Sequence, residues 1–336
     1  MDTQKSMETM LQQMQKMATQ IDQISRCDLD PILFSDWANI WLETWRKGLV
    51  SNITYEETYV RPIKKHLIPY FGSYYLHEIT PFQIQQFFNL KAKKYTLESC
   101  KKMRNPLHSI FISGIENGHC RKSPVTSTIR VWSEKPNIQK HVWTQEQFDM
   151  AYEFAKTHAY GVQILILMET AISRSELLGL TWDSFNYTDK LLKITEGIVS
   201  CKDANTGKWI IEESNLKNSY RHREVPISLF TSNELNKMMA THQYRFIFCN
   251  LNGTPKCPDN WYKREFRKFM QELHAKYPEV PMLTTHELRH TRATLLNYKG
   301  VDLYTISRLM GHCDLTMLSK RYLHDDINAM RQSIGI

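Results

Sequence analysis

His286-Glu287-Leu288-Arg289-His290 supports two chemistries. As H-E-x-x-H it is a zinc pattern, with two histidines one helical turn apart and a glutamate as general base. As H-x-x-R it is a histidine and an arginine on one helix face, suited to a phosphate. The zinc reading needs a third ligand at a recognisable spacing downstream. No second glutamate motif follows, and the next acidic residue, Asp302, lies beyond Gly300. Zinc would also leave other chemistry-bearing groups without a role. Arg174 stands in Thr170-Ala171-Ile172-Ser173-Arg174-Ser175-Glu176-Leu177-Leu178-Gly179-Leu180. Lys217 precedes a strand-like run ending Arg223-Glu224-Val225-Pro226-Ile227, and Leu309-Met310-Gly311-His312 and Lys320-Arg321-Tyr322 follow later. Two arginines, a lysine, two histidines and a tyrosine suit attack on a phosphodiester without a metal. A tyrosine of pKa near 10 is only about one-thousandth phenolate at pH 7, so the attack needs a base or a strongly positive field. A guanidinium supplies that field and matches two phosphate oxygens with its fixed fork.

This ordered set resembles the tyrosine recombinases, the phage-integrase family. Thr170 to Leu180 resembles the family stretch that carries the first catalytic arginine, although Ile172-Ser173 stand where Gly-Leu or Gly-Met is usual. Lys217, in a turn between two predicted strands, is placed like the family's hairpin lysine, with Lys202 and Lys208 as competitors. His286 and Arg289 match H-x-x-R, which leaves His290 as a hydrogen-bonded structural neighbour and Glu287 as a salt-bridge partner. Met310-Gly311-His312-Cys313 resembles the family's Leu-Gly-His-Ser, and Tyr322 follows ten residues after His312. The resemblance implies that Tyr322 is the nucleophile and that Arg174 and Arg289 offset charge on the phosphorane. Lys217 would protonate the leaving 5′ oxygen, and His286 or His312 would take the phenol proton or bind phosphate. It further implies a 3′-phosphotyrosyl intermediate on double-stranded DNA recombination sites, four protomers acting together, and no cofactor or metal. Three other readings compete: a type IB topoisomerase, a DNA-binding protein that has lost catalysis, and the zinc peptidase.

Charge agrees with a polyanionic partner. The 336 residues carry a net +8, but residues 31–135 alone hold 15 Lys and Arg against 8 Asp and Glu, or +7. A local basic surface of this kind neutralises phosphates and releases counterions. Lys93, Lys94, Lys101, Lys102 and Arg104 are the leading candidates for phosphate contact. The 7 cysteines are scattered, with no CxxC pair, so neither a disulfide framework nor a zinc knuckle is indicated and a reducing cytoplasm fits. The N-terminus lacks an apolar signal core, and the longest apolar stretch, around Val162 to Met168, is too short to span a bilayer.

The expected fold is mainly α with a small antiparallel sheet: a helical core-binding domain, then a mixed α/β catalytic domain. Residues 1–30 read as an N-terminal amphipathic segment, with Met7, Met10, Leu11, Met14, Met17, Ala18, Ile21 and Ile24 at helical spacing. They are too few for the arm-binding domain that integrases of conjugative transposons often carry. Residues 31–132 read as four helices. The first has the stripe Phe34, Trp37, Ala38, Trp41, Leu42 and Trp45, the second runs Thr54 to Ile68 with Pro62 as its weak point, the third starts at Thr80-Pro81, and the fourth runs Leu97 to Glu116. The segment from Leu76 to Val125 also resembles the integrase core-binding domain. Residues 133–142 form the expected linker, and residues 143–336 the catalytic domain with its tail. There the strand-like stretches are Leu191 to Val199, Lys208 to Ser214 and Tyr220 to Ile227. After Tyr322, Ile327, Met330 and Ile334 share one face of a short helix. That tail docks either on its own domain or on a neighbouring subunit.

Overall fold

A computed structural model describes residues 12–17, 29–136, 141–215, 221–241 and 243–311. The chain divides into two compact units, residues 1–138 with 202–208, and residues 139–201 with 209–336. Lys217, His312, Tyr322, the C-terminal tail, part of the expected linker and most of the N-terminal segment lie outside the described residues. Residues 12–17 are helical, with Met14 and Met17 exposed.

The first unit is built on aromatic stripes. Helix α1 (Phe34–Trp45) buries Phe34, Trp37, Ala38, Trp41 and Leu42 at spacings of three and four. Helix α2 (residues 52–71) has Pro62 in its middle. Proline has no N–H to donate and crowds the preceding turn. The helix accommodates it with wide π turns at Tyr55–Val60 and Ile63–Leu67, on either side of the proline. Helix α3 (Pro81–Ala92) begins as its sequence predicts. Thr80 is the N-cap, Gln83 closes a capping box, and Pro81 takes a first-turn position where no N–H is needed. Helix α4 (Leu97–Glu116) buries Met103, Leu107, Ile110 and Phe111. Phe34, Phe71, Phe87 and Phe111 meet in one core, with Phe34–Phe71 centroids 5.7 Å apart. Gly114 lets α4 come close, because a Cβ there would collide with the Leu76 side chain.

The second unit alternates helices with short strands. Helix α5 (Gln145–Thr157) starts at a Thr144 capping box with Gln147, and α6 (Gly161–Thr170) buries an unbroken run from Gln163 to Met168. Next come α7 (Arg174–Leu178), β1 (Phe185–Asn186), β2 (Leu191–Ile194), β3 (Glu196–Lys202), β4 (Trp209–Asn215) and β5 (Arg223–Pro226). Then α8 (Leu229–Met239), α9 (residues 258–276), α10 (Thr285–Tyr298) and α11 (Leu303–Met310) complete the described order. The expected single sheet is two. β1, β2 and β5 form an antiparallel sheet in the order β1-β2-β5, and β3 pairs with β4 separately. The predicted stretch Leu191 to Val199 therefore breaks at Thr195. Just past the break β3 runs close to α7: Ser175 Oγ donates to the Ile198 carbonyl at 2.7 Å, and a Cβ on Gly197 would sit 2.7 Å from that hydroxyl. Helix α8, which sequence periodicity did not reveal, is started by a Ser228 cap and buries only Thr231, Ser232 and Leu235.

Candidate active site

Helix α6 ends on Ala171 in the left-handed conformation, φ 53°. That turn is followed at once by α7, whose N-cap Ser173 and third residue Glu176 form a reciprocal capping box. Arg174 is thereby the first helical residue. Its Nη1 donates to Asp259 Oδ1 at 3.1 Å and to the Pro258 carbonyl at 3.2 Å, and its guanidinium lies 5.8 Å from the Tyr262 ring centroid. One third of the side chain is exposed.

Glu176, two residues on, faces inward and is the centre of the site. Its carboxylate accepts from the Ser173 backbone N–H at 2.7 Å and from Arg223 at 2.9 and 3.2 Å. Arg289 Nη1 lies 3.6 Å from the same carboxylate. Burial alone would push this carboxyl up. The Arg223 hydrogen bonds and the charges of Arg223 and Arg289 outweigh it and hold the pKa below its ordinary 4.5. Arg289 Nη2 in turn donates to the Met310 carbonyl, at the end of α11. Two guanidiniums thus share one buried carboxylate.

His286 stands exposed in the first turn of α10, and His290, one turn on, is buried. The two rings meet edge to face with centroids 4.3 Å apart and an Nε2–Nε2 hydrogen bond of 2.8 Å. His290 is the hydrogen-bonded neighbour expected for it. Glu287 has a different role from the expected salt bridge. Its carboxylate accepts from the Thr284 backbone N–H and hydroxyl, both at 2.8 Å, closing a capping box. Burial raises its pKa, and the hydrogen bonds from Thr284 and the His141 backbone more than offset this. The H-E-x-x-H pattern is therefore a helix cap and an imidazole pair, with the two Nε2 atoms turned on each other.

Arg174, His286 and Arg289 are the described members of the predicted set; Arg289 is tied to Glu176 on α7, whereas Arg174 on the same helix is held by Asp259 and the Pro258 carbonyl. Lys217, His312 and Tyr322 lie outside the described residues. Glu176 and Arg223 were missed as site residues. A signal for Arg223 did exist: strand alternation puts Arg223, Val225 and Ile227 on one face, and β5 buries Arg223 and Val225.

Among the proposed phosphate contacts, Lys93, Lys94 and Lys102 are exposed, Lys101 is exposed and paired with Glu98 at 2.9 Å, and Arg104 is half-buried with Nη2 donating to the Thr126 carbonyl. Among the described residues, no helix is long and apolar enough to cross a membrane.

A helical unit followed by a mixed α/β unit is the domain order of the tyrosine recombinases. The chain belongs to the phage integrase family, whose profile matches residues 141–328. The N-terminal SAM-like domain of phage integrases matches residues 33–92. A XerC-like tyrosine recombinase of Caldanaerobacter subterraneus is 26% identical over 269 residues, covering 73% of this chain and 67% of the relative. The transposase of transposon Tn916 from Enterococcus faecalis is 25% identical over 246 residues, 68% of this chain and 59% of its own length. The chain thus spans about three-fifths to two-thirds of these relatives. Among solved structures, the Tn1549 transposon integrase in complex with a circular-intermediate DNA superposes with a TM-score of 0.74 at 18% identity, covering 90% of this chain and 99% of that one.

Proposed function

We propose that this chain is a site-specific DNA recombinase that cleaves and rejoins strands through a 3′-phosphotyrosyl intermediate, in the integration and excision of a mobile element. The observation that carries the reading is the hub at Glu176. It holds Arg289 in place, while Arg174, two residues before it on the same short helix, is held separately by Asp259 and the Pro258 carbonyl. Two preorganised guanidiniums offset the charge that builds on a phosphorane, and loss of one such donor typically costs about 10²–10³ in rate. In the proposed reaction the Tyr322 oxygen attacks the scissile phosphorus. The phenol proton passes to His286 or His312. The bond to the 5′ oxygen breaks, and Lys217 protonates that oxygen. A 5′ hydroxyl of another strand then attacks the phosphotyrosyl bond and releases the tyrosine. The bond energy stays in the covalent link, so the exchange needs no nucleotide hydrolysis.

The helical region 31–132 would hold the duplex through its basic surface, with 133–142 as linker and 143–336 as catalytic domain. Four protomers would act on two sites in the cytoplasm, with the tail after Tyr322 as a contact between them. The test is incubation with nicked candidate recombination-site DNA. The parent chain forms a denaturant-stable protein–DNA adduct, and Tyr322→Phe binds the same DNA without forming one. An adduct that survives in Tyr322→Phe would remove Tyr322 as nucleophile.

A further inference from the structure

A cation on the inward face of a small sheet is costly unless every donor is met. Arg223 stands at such a position, opposite Ile194 in the register of β2 and β5, with its side chain 2% exposed. Each of its nitrogens is used. Nε donates to the Leu309 carbonyl at 2.8 Å, Nη1 to Glu176 Oε1 and the Arg221 carbonyl, both at 2.9 Å, and Nη2 to Glu176 Oε2 at 3.2 Å.

Two of these partners belong to the framework of the candidate site. Glu176 also holds Arg289. The Leu309 carbonyl is next in the chain to the Met310 carbonyl, which Arg289 takes. Arg223 and Arg289 therefore sit on successive carbonyls at the C-terminal end of α11, where the helix dipole is negative, with one carboxylate between them. Beyond that end the chain turns at Gly311, φ 66°. A Cβ at Gly311 would lie 2.6 Å from Arg223 Nη1. The guanidinium fills the space beneath the turn that leads directly to His312.

We infer that Arg223 is a positioning residue for strand cleavage, fixing at once the Arg289 guanidinium and the turn into His312. This rests on the recombinase reading above. The role needs a guanidinium and not merely a charge. A lysine can neutralise Glu176, but it cannot make the two-pronged contact and the Leu309 bond together. The informative variant is therefore Arg223→Lys, which keeps the charge inside the fold.

At saturating DNA, and with folding verified by a cooperative melt, Arg223→Lys should form the covalent adduct about 10- to 100-fold more slowly, as displaced catalytic groups do. Its DNA affinity should stay within about twofold of the parent, the scatter expected of independent sites. Because Arg223 acts through Arg289, Arg223→Lys should add little to the defect of Arg289→Lys, so the two losses should not multiply. A purely structural role would instead lower melting temperature, affinity and rate together. A folded Arg223→Lys that cleaves at the parent rate, or losses that multiply, would overturn the proposal. A second measurement needs no catalysis. Gly311→Ala should lower the melting temperature more in the parent than in Arg223→Lys, where the fork no longer fills the turn. Equal losses in both backgrounds would also overturn it. If the parent forms no adduct while the Gly311→Ala losses differ as expected, the recombinase reading is what fails, and the Arg223 contact stands.

Discussion

Glu176 shows how one side chain can serve local and long-range structure together. Through one oxygen it closes the cap of a five-residue helix, and through both it holds Arg223. Removing one partner of a buried ion pair leaves the other uncompensated, typically at about 3–5 kcal/mol. Glu176→Gln would remove the carboxylate that Arg223 and Arg289 share, so a loss of about 3 kcal/mol or more is expected in urea unfolding at pH 7. The pH dependence has a definite sign. The folded pKa lies below the ordinary 4.5, so the carboxylate's contribution is fully present above that value and is lost as pH falls through the lowered folded value. Between pH 6 and pH 3 the parent should lose stability more steeply than Glu176→Gln. Parallel curves would show that Glu176 titrates alike folded and unfolded. This residue was not legible as part of the site, because Ser-x-x-Glu already reads as a complete capping box. His286 and Arg289 were legible because both stand in one short word of sequence. Glu176 and Arg223 are 47 positions apart, and only the fold joins them.

Element starts were more legible than element partners. The start at Thr80-Pro81 and the end of α4 at Glu116 are local chemistry, and they stand where the residues put them. The division of one expected sheet into two was not legible. It goes together with β3 leaning on α7, a contact between stretches that share no local pattern. The same distinction explains H-E-x-x-H, where Thr284 as N-cap decides what Glu287 does. Replacing an N-cap threonine with alanine costs about 0.5–2 kcal/mol. Thr284→Ala should fall in that range by thermal melt. Because α10 carries His286 in its first turn, the variant should also slow adduct formation more than it weakens DNA binding. Gly114→Ala tests packing between elements. The added methyl meets Leu76 inside a filled core, and overpacking of this kind costs about 1–3 kcal/mol. A variant as stable as the parent in denaturant would show that Leu76 has room to move.

At the scale of the whole molecule, the uneven charge is the feature most open to measurement. Residues 31–135 carry +7 of the chain's +8, and all of them lie in the first unit. Sequence alone could not say which of these cations face solvent unpaired, because that depends on helix phase and on acidic neighbours. The fold separates the five candidates. Arg104 is half-buried with one nitrogen on the Thr126 carbonyl, whereas Lys93, Lys94 and Lys102 are exposed. Lys101 is exposed too, but Glu98 lies one turn before it on α4. An exposed helical pair of this kind is worth only a few tenths of a kcal/mol, so Lys101 can exchange it for a phosphate at little cost. Each phosphate neutralised adds about −0.9 to the slope of log affinity against log salt. Alanine at both Lys101 and Lys102 should therefore flatten that slope by about one to two. Alanine at Arg104 should leave the slope nearly as it is and lower stability instead. The measurement is a salt series of gel shifts or fluorescence titrations on one DNA site, with melts of the same variants. An unchanged slope in the double-lysine variant would mean that this face of α4 looks away from the duplex. A slope that falls with Arg104→Ala would mean that the guanidinium leaves the Thr126 carbonyl for a phosphate when DNA binds.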